Sequence, residues 1–320
     1  MTPQVDPNAV RNVTCIGCGV IGAGWVAHFL ARGFAVTAWD PSPEGEATLR
    51  HIITAARPAL IDLGLDPEAG QLTYAPTLAA ACAAAEFVQE SAPERLDLKI
   101  ELLAEIDRAT PPTTIIASST SGFLMNDMQA GAAHPERMVV GHPFNPPYLL
   151  PLVEVVGGKK TAPGVVDRAT AFYEAAGKTV IPMAREVPGF IADRLQQAIW
   201  HEALHMIEAG EATVAEIDKA IAAGPGLRWA IMGHCLTFHL AGGEGGMAHF
   251  LEHFDAATGA PWTRLAAPEM TPELEQALIT GCDDAAGGRS VAELTEHRDR
   301  CLVALMRALE AARAPDGAIP

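Results

Sequence analysis

A chain of 320 residues with 49% apolar and 19% charged side chains is long enough for two packed cores, and none of its apolar runs approaches the ~20 residues that cross a bilayer. A formal net charge of −17 excludes the basic surface that nucleic acids and anionic membranes reward, so the expected partners are a small-molecule substrate and copies of the chain itself. Six cysteines at this length read as reduced thiols, and MTPQVDPNAVRN lacks the charged-then-apolar pattern of a secretion signal, which points to a cytoplasmic protein.

The first element expected is a short buried strand, Val13-Thr-Cys-Ile16, followed by Gly17-Cys18-Gly19-Val20-Ile21-Gly22 and a helical stretch to Gly33. This is G-x-G-x-x-G between a strand and a helix. The first glycine permits a tight turn, the second lets a pyrophosphate approach the backbone, and the third allows close helix packing; the helix N-terminus adds free N–H groups and a positive dipole end. A second strand, Phe34 to Trp39, ends at Asp40, 18 residues after Gly22, where an acid can hold the adenosine ribose hydroxyls. A carboxylate there repels a 2′-phosphate, so the cofactor expected is NAD. The same loop contains Cys15-x-x-Cys18; with Cys15 in a buried strand and no second such pair, both read as small core residues.

Beyond Asp40 the pattern predicts a helix to about Gly64, an alanine-rich helix near 77–85, a strand at 86–90, a helix at 94–108, and strands at 114–118, 137–141 and 152–156. A helix at 163–176 and a strand at 178–181 follow. Strands alternating with helices predict a doubly wound, mostly parallel α/β sheet. From Pro188 the strand-like runs stop. Thr213-x-x-Glu216 and Ser290-x-x-Glu293 are capping boxes, and 290–313 is long and amphipathic. The expected division is therefore a dinucleotide-binding domain over 1–187 and an all-helical domain over 188–320.

GHPFNPPYLLPLVEVV, residues 141–156, holds the candidate chemistry. A hydride leaving an alcohol carbon requires a base for the hydroxyl proton, and a histidine titrating near ~6.5 suits that task at neutral pH. A carboxylate on the opposite ring nitrogen fixes the tautomer and stabilises the imidazolium. Twelve residues separate His142 from Glu154, and the proline-rich segment between them cannot extend either strand. By spacing alone, a catalytic pair and a hydrogen-bonded core histidine beside a solvated glutamate are both open.

GCGVIG, Asp40, ESAPERLDLK, SSTS, GHPFNP, LVEVV and PGFIADR, in this order, make the chain resemble the 3-hydroxyacyl-CoA dehydrogenase family over essentially its whole length. The resemblance implies His142 as base, Glu154 as its partner, and Ser121, 21 residues before the histidine, as the serine that bonds the substrate oxygen, with Ser119 in reserve. It implies that Asn145 lies near the nicotinamide, that Glu94 and Lys99 contact NAD, and that the helical domain builds a homodimer. Two features depart from the family. An active-site asparagine after P-G-F is replaced by Asp193, and no lysine lies between Asp40 and Lys99 to meet the phosphates of CoA.

In the second half, GPGLRWAIMG, LTFHLAGGEGGMAHFLEHF and PWTRL at 261–265 are similar to a branch of that superfamily which oxidises a 3-hydroxy acid bearing a quaternary ammonium. Such a cation cannot donate hydrogen bonds, so aromatic faces and a counter-charge are expected to hold it. The candidates are Phe144, Tyr148, Trp229 and Phe238, with Asp193 as the counter-charge. Sugar-acid 3-dehydrogenases acting on L-gulonate and short 3-hydroxyacyl dehydrogenases are the enzymatic alternatives, and lambda-crystallin, a lens protein of this superfamily, represents a structural one. His201-Glu202-Ala203-Leu204-His205 is a remote alternative, a zinc-hydrolase H-E-x-x-H. Glu208 occupies the place of the glycine in the extended form of that motif, no third ligand is defined, and the expectation is no metal.

Overall fold

The computed structural model describes residues 10–230, 233–241 and 291–313, together with 250, 269, 271–274 and 276. PWTRL, Ser290 and most of the glycine-rich run after Ala241 lie outside the described residues. Two compact units divide the chain after Asp193. The first also takes in Asp299–Arg307 of the last helix, and the second holds Arg194–Arg298 and the remainder.

The first unit is built on eight strands: β1 (Asn12–Ile16), β2 (Ala35–Trp39), β3 (Gln71–Tyr74), β4 (Phe87–Glu90), β5 (Ile115–Ser118), β6 (Met138–Pro143), β7 (Leu152–Gly157) and β8 (Thr179–Pro182). Their order is β3-β2-β1-β4-β5-β6-β7-β8. Every neighbouring pair is parallel except β6 and β7, which are antiparallel. The mostly parallel α/β sheet expected from the alternation is present. The expected strands and helices recur with ends shifted by a few residues, and β3 was not foreseen. It is a four-residue edge strand with one aliphatic side chain, Leu72, and no buried position, so it carries little periodic signal.

Helices α1 (Val20–Ala31), α2 (Gly45–Asp62), α3 (Leu78–Cys82), α4 (Leu96–Ala109), α5 (Met125–Met128) and α6 (Val165–Ala175) complete this unit. All positions of β4, β5 and β6 are buried, because a parallel sheet has helices on both faces. One core layer is aromatic: Trp25 stacks on Phe29 with centroids 5.1 Å apart, and Phe87 stacks on Phe172 at 3.9 Å. The opposite layer is aliphatic, sulfur-containing and aromatic, with Leu103, Ile116, Met125, Met138, Val140 and Phe190.

The second unit is helical as far as it is described, with most of α7 (Ala192–Glu208), then α8 (Val214–Ala223), α9 (Pro225–Trp229) and α10 (His234–Ala241). The last helix is α11 (Val291–Arg313). The capping box at Thr213 is formed: its hydroxyl accepts the Glu216 N–H, and the Glu216 carboxylate accepts the Thr213 N–H. Among the described residues no helix is long and apolar enough to cross a membrane.

Candidate active site

The glycine loop opens onto a cavity of about 550 Å³ whose lining includes Gly17, Gly19, Val20, Asp40, Ser91 and Leu98. Gly17 turns the chain at φ +93°, a conformation other residues adopt at a cost. At Gly19 a Cβ would meet nothing within 4 Å, so the bare backbone faces open space where a pyrophosphate can approach the start of α1. Asp40 closes the loop: its carboxylate accepts the Cys18 N–H at 2.7 Å and the Ser42 N–H at 2.8 Å. The loop, the cavity and the acid at the end of β2 together fit a dinucleotide.

At Gly22 a Cβ would collide with the Gly17 carbonyl oxygen, and both partners are backbone. Replacing Gly22 with Ala is therefore expected to distort the loop and raise the NADH dissociation constant by about 10-fold or more, corresponding to the ~1–3 kcal/mol of an overpacked contact. Fluorescence titration measures this, and an unchanged constant would remove the loop from the binding site. Cys15 and Cys18 are buried free thiols; burial pushes Cys18 up to about 12 and Cys15 higher still, so neither is a nucleophile at neutral pH.

The other end of the site is set by sheet register. His142 and Glu154 are direct partners across the antiparallel β6–β7 pair, which puts their side chains on one face. His142 Nδ1 lies 3.0 Å from Glu154 Oε2, with both side chains buried. The other oxygen, Oε1, accepts the N–H groups of Ile191 at 2.9 Å and Ala192 at 3.0 Å, at the start of α7. Burial alone would raise the Glu154 carboxyl, but the hydrogen bonds from His142, Ala192 and Ile191 outweigh it and hold the group below the usual carboxylate range. A carboxylate only accepts, so Nδ1 carries the proton and, in the neutral ring, Nε2 presents a lone pair.

Nε2 faces Asp193 Oδ2 at 3.5 Å, longer than a strong hydrogen bond. Burial, with added repulsion from Glu154, holds Asp193 above the usual carboxylate range even though His142 pulls the other way. The turn that delivers Asp193 runs through Gly189 at φ +69° and Phe190 at φ +49°. Phe190 is the one described non-glycine residue with positive φ, and its ring packs 5.3 Å from the His142 ring. That left-handed turn costs energy in a residue with a Cβ, and it aims the Ile191 and Ala192 N–H groups at Glu154. Sequence reading passed over Phe190; the P-G-F triplet was its only signal.

Phe144 lies edge-on to His142, with centroids 5.2 Å apart, and Asn145 is exposed on the same loop. Tyr148 donates to Asp299 Oδ2 at 2.8 Å and packs near Ala59, Leu149 and Val303. Trp229 and Phe238 belong to the second unit, in an aromatic run through His234 that continues to Phe250.

Ser121 is exposed, on a turn gripped by Glu94, whose Oε1 accepts the Thr120 hydroxyl at 2.5 Å and the N–H groups of Ser121 and Gly122 at 3.1 and 3.2 Å. Lys99 is buried; its ammonium donates to Glu90 Oε1 at 2.8 Å and to the Ala92 carbonyl at 3.1 Å, with Glu94 3.6 Å away. Ser119 bonds Gln89 and Ser91, each at 2.8 Å, so its hydroxyl is committed to the fold. In the H-E-x-x-H segment His201 bonds Gln197 at 2.6 Å and His205 lies 3.8 Å from Glu208. Among the described residues no three His, Cys, Asp or Glu gather to hold a metal ion.

Two family models cover most of the chain: the NAD binding domain of 3-hydroxyacyl-CoA dehydrogenase matches residues 12–187, and its C-terminal domain matches 189–281. L-carnitine dehydrogenase of Streptomyces coelicolor is 63% identical over 307 residues, covering 95% of this chain and 96% of that one. L-carnitine dehydrogenase of Pseudomonas putida is 49% identical over 310 residues, 96% of this chain and 97% of its own. Among solved structures, 5-formyl-3-hydroxy-2-methylpyridine 4-carboxylic acid 5-dehydrogenase, an NAD+-dependent dismutase, superposes with a TM-score of 0.79 at 26% identity, over 94% of this chain and 99% of that one. 3-Hydroxybutyryl-CoA dehydrogenase from Escherichia coli gives 0.63 at 28% identity, over 85% of this chain and 57% of that one.

Proposed function

The chain belongs to the 3-hydroxyacyl-CoA dehydrogenase family, and from that premise we propose that it oxidises the 3-hydroxyl of L-carnitine to 3-dehydrocarnitine. It is an NAD-dependent oxidoreductase, and NAD, when bound, accepts the hydride. The observation that carries the proposed chemistry is the 3.0 Å contact between His142 Nδ1 and Glu154, which commits one ring nitrogen and leaves Nε2 to take a proton. The relatives named L-carnitine dehydrogenase support the choice of substrate.

In this reading Nε2 of His142 takes the hydroxyl proton, and Glu154 keeps Nδ1 protonated and balances the imidazolium as it forms. Ser121 bonds the substrate oxygen, and Glu94 holds the turn that presents it. Asn145 orients the nicotinamide, Glu94 lies on the cofactor side, and the buried Lys99 braces that side through Glu90 and the Ala92 carbonyl.

The cationic end of the substrate is assigned to Phe144 and Asp193, each of which lies against the His142 imidazole. A ring face and a partly buried carboxylate are the two groups that stabilise a trimethylammonium without hydrogen bonds. Trp229 and Phe238 offer ring faces of the same kind within the second unit. Asp193→Asn is expected to lower kcat/KM for L-carnitine by about 10- to 100-fold, a loss of roughly 1–3 kcal/mol of charge attraction. Its effect on 3-hydroxybutyrate, which lacks the ammonium, should stay within about 3-fold. Steady-state NADH formation with both substrates checks this; equal losses would sink the assignment of Asp193.

We place the enzyme in the cytoplasm as a homodimer. Buried free thiols at Cys15, Cys18 and Cys82 support a reducing compartment. An apolar groove in the second unit, with Ile199, Ala203, Met206, Ile217 and Ile221 in its lining, and the exposed side chains of Leu195 and Trp200 support self-association.

A further inference from the structure

The loop from Pro143 to Pro151 joins the base to its partner, and four of its nine residues are prolines without an N–H. Its internal hydrogen bonds run from the Leu149 and Leu150 N–H groups to the Pro146 carbonyl at 3.0 and 2.9 Å. Buried carbonyls need donors, and a proline-rich loop cannot supply many from its own backbone. For Pro147 and Leu150 the donor is one side chain: the ammonium of Lys178 bonds the Pro147 carbonyl and reaches the Leu150 carbonyl at 3.2 Å.

Lys178 stands between Gly177, which ends the turn after α6, and the first residue of β8. Its Nζ also lies 4.8 Å from the centroid of the Trp25 ring of α1, so the same cation binds the loop and the helix that opens at the cofactor cavity. At Gly24 of α1 a Cβ would come within 2.7 Å of the Pro147 ring, a second close approach between these two elements. The basic neighbours of Lys178 are Arg32, whose guanidinium lies against Gly177, and His28, which bonds the Ala176 carbonyl at 2.9 Å. Among the described residues no carboxylate pairs with Lys178.

A methionine would fill this space without burying a charge. Burial, reinforced by Arg32, pushes the ammonium down to about 7, so the charge is costly to keep here, while the amine donates N–H bonds in either form. What the lysine provides and a methionine cannot is a set of donors for the two loop carbonyls.

Resting on the reading of His142 and Glu154 as a hydride-transfer centre, we propose that Lys178 is a positioning residue that locks the Pro143–Pro151 loop to α1 and so sets Asn145 and the substrate against the cofactor. Misplacing reacting groups by an ångström or so is enough to slow transfer by up to about 100-fold.

The test compares wild type with Lys178→Met. The kcat for L-carnitine should fall on the order of 10- to 100-fold while NADH binding stays within about 2-fold. The primary isotope effect on kcat with 3-deuterated L-carnitine should rise, because hydride transfer becomes slower relative to product release. A loss of folded protein would lower kcat and leave that ratio unchanged, so an unaltered isotope effect overturns the proposal. Hydrogen exchange at the Leu149 and Leu150 amides, measured without substrate, should accelerate in the variant, and unchanged exchange overturns the proposal as well. A wild-type enzyme inert toward L-carnitine would instead refute the substrate reading, leaving the exchange measurement to judge Lys178. If Lys178→Met does not fold, Lys178→Gln, which keeps a shorter N–H donor, is expected to show the same changes at smaller size, and wild-type values in it overturn the proposal.

Discussion

His142→Ala should reduce kcat for L-carnitine by about 10²- to 10⁴-fold, the ~3–5 kcal/mol that a positioned general base contributes to proton transfer. His142 is absent from the lining of the cavity at the glycine loop. NADH binding should therefore stay within about 2-fold, and kcat and kcat/KM should fall together, the pattern of an interaction made in the transition state. Removing the ring strips Glu154 of one partner, but the Ile191 and Ala192 N–H groups remain on Oε1, so the carboxylate keeps two of its three bonds. Fluorescence titration and steady-state rates decide the matter: turnover retained within about 10-fold would exclude His142 as the base.

Glu154→Gln is the second large effect, and its size follows from what a carboxylate does that an amide cannot. Both oxygens of Glu154 accept: Oε2 from His142, and Oε1 from two backbone N–H groups. A glutamine has one accepting oxygen. Turned toward α7, that oxygen leaves an NH₂ against Nδ1, forcing the proton onto Nε2 and removing the lone pair that should receive the substrate proton. Turned toward His142, it leaves the NH₂ against two N–H donors, with buried groups unpaired at ~1–3 kcal/mol. The first orientation pairs the amide oxygen with two N–H donors and leaves none of them unpaired, so it should prevail, and kcat should drop about 10³- to 10⁴-fold, the scale of a wrong-tautomer defect in other carboxylate–histidine pairs.

Stability should follow pH with a definite sign. The folded Glu154 is held below its ordinary range, so its contribution is present above the unfolded value near ~4.3 and is lost as pH falls through the folded one. The gap in denaturation midpoint between wild type and Glu154→Gln should therefore be widest near neutral pH and narrow in acid. A gap independent of pH would mean that the charge on Glu154 does not contribute.

Most strands and helices of the first unit were legible because parallel strands buried on both faces are continuous apolar runs, and helices announce themselves by caps and periodicity. β3 was not legible, since an edge strand needs only one neighbour and Gln71-Leu-Thr-Tyr74 has little to bury. In the site, the residue types could be read and their committed atoms could not. Ser119 and Ser121 look alike in SSTS; only the fold ties Ser119 to Gln89 and Ser91 and leaves Ser121 exposed on the turn that Glu94 grips. Tyr148 looked like a ring for the cation, and its hydroxyl bonds Asp299, far along the chain.

A dinucleotide-binding α/β sheet followed by helices was readable from the chain alone, and so were His142, Glu154 and Asp40 as candidates, because periodicity, caps and the glycine loop are local patterns that each segment carries alone. It took the folded chain to show that β6 and β7 pair in the register that sets His142 against Glu154, that a left-handed turn at Phe190 brings Asp193 to Nε2, and that Lys178 supplies the donors a proline-rich loop lacks. The reason is that a hydrogen bond or an ion pair acts through a few ångströms of space, and the number of residues between two groups does not say which atoms the folded chain will bring that close.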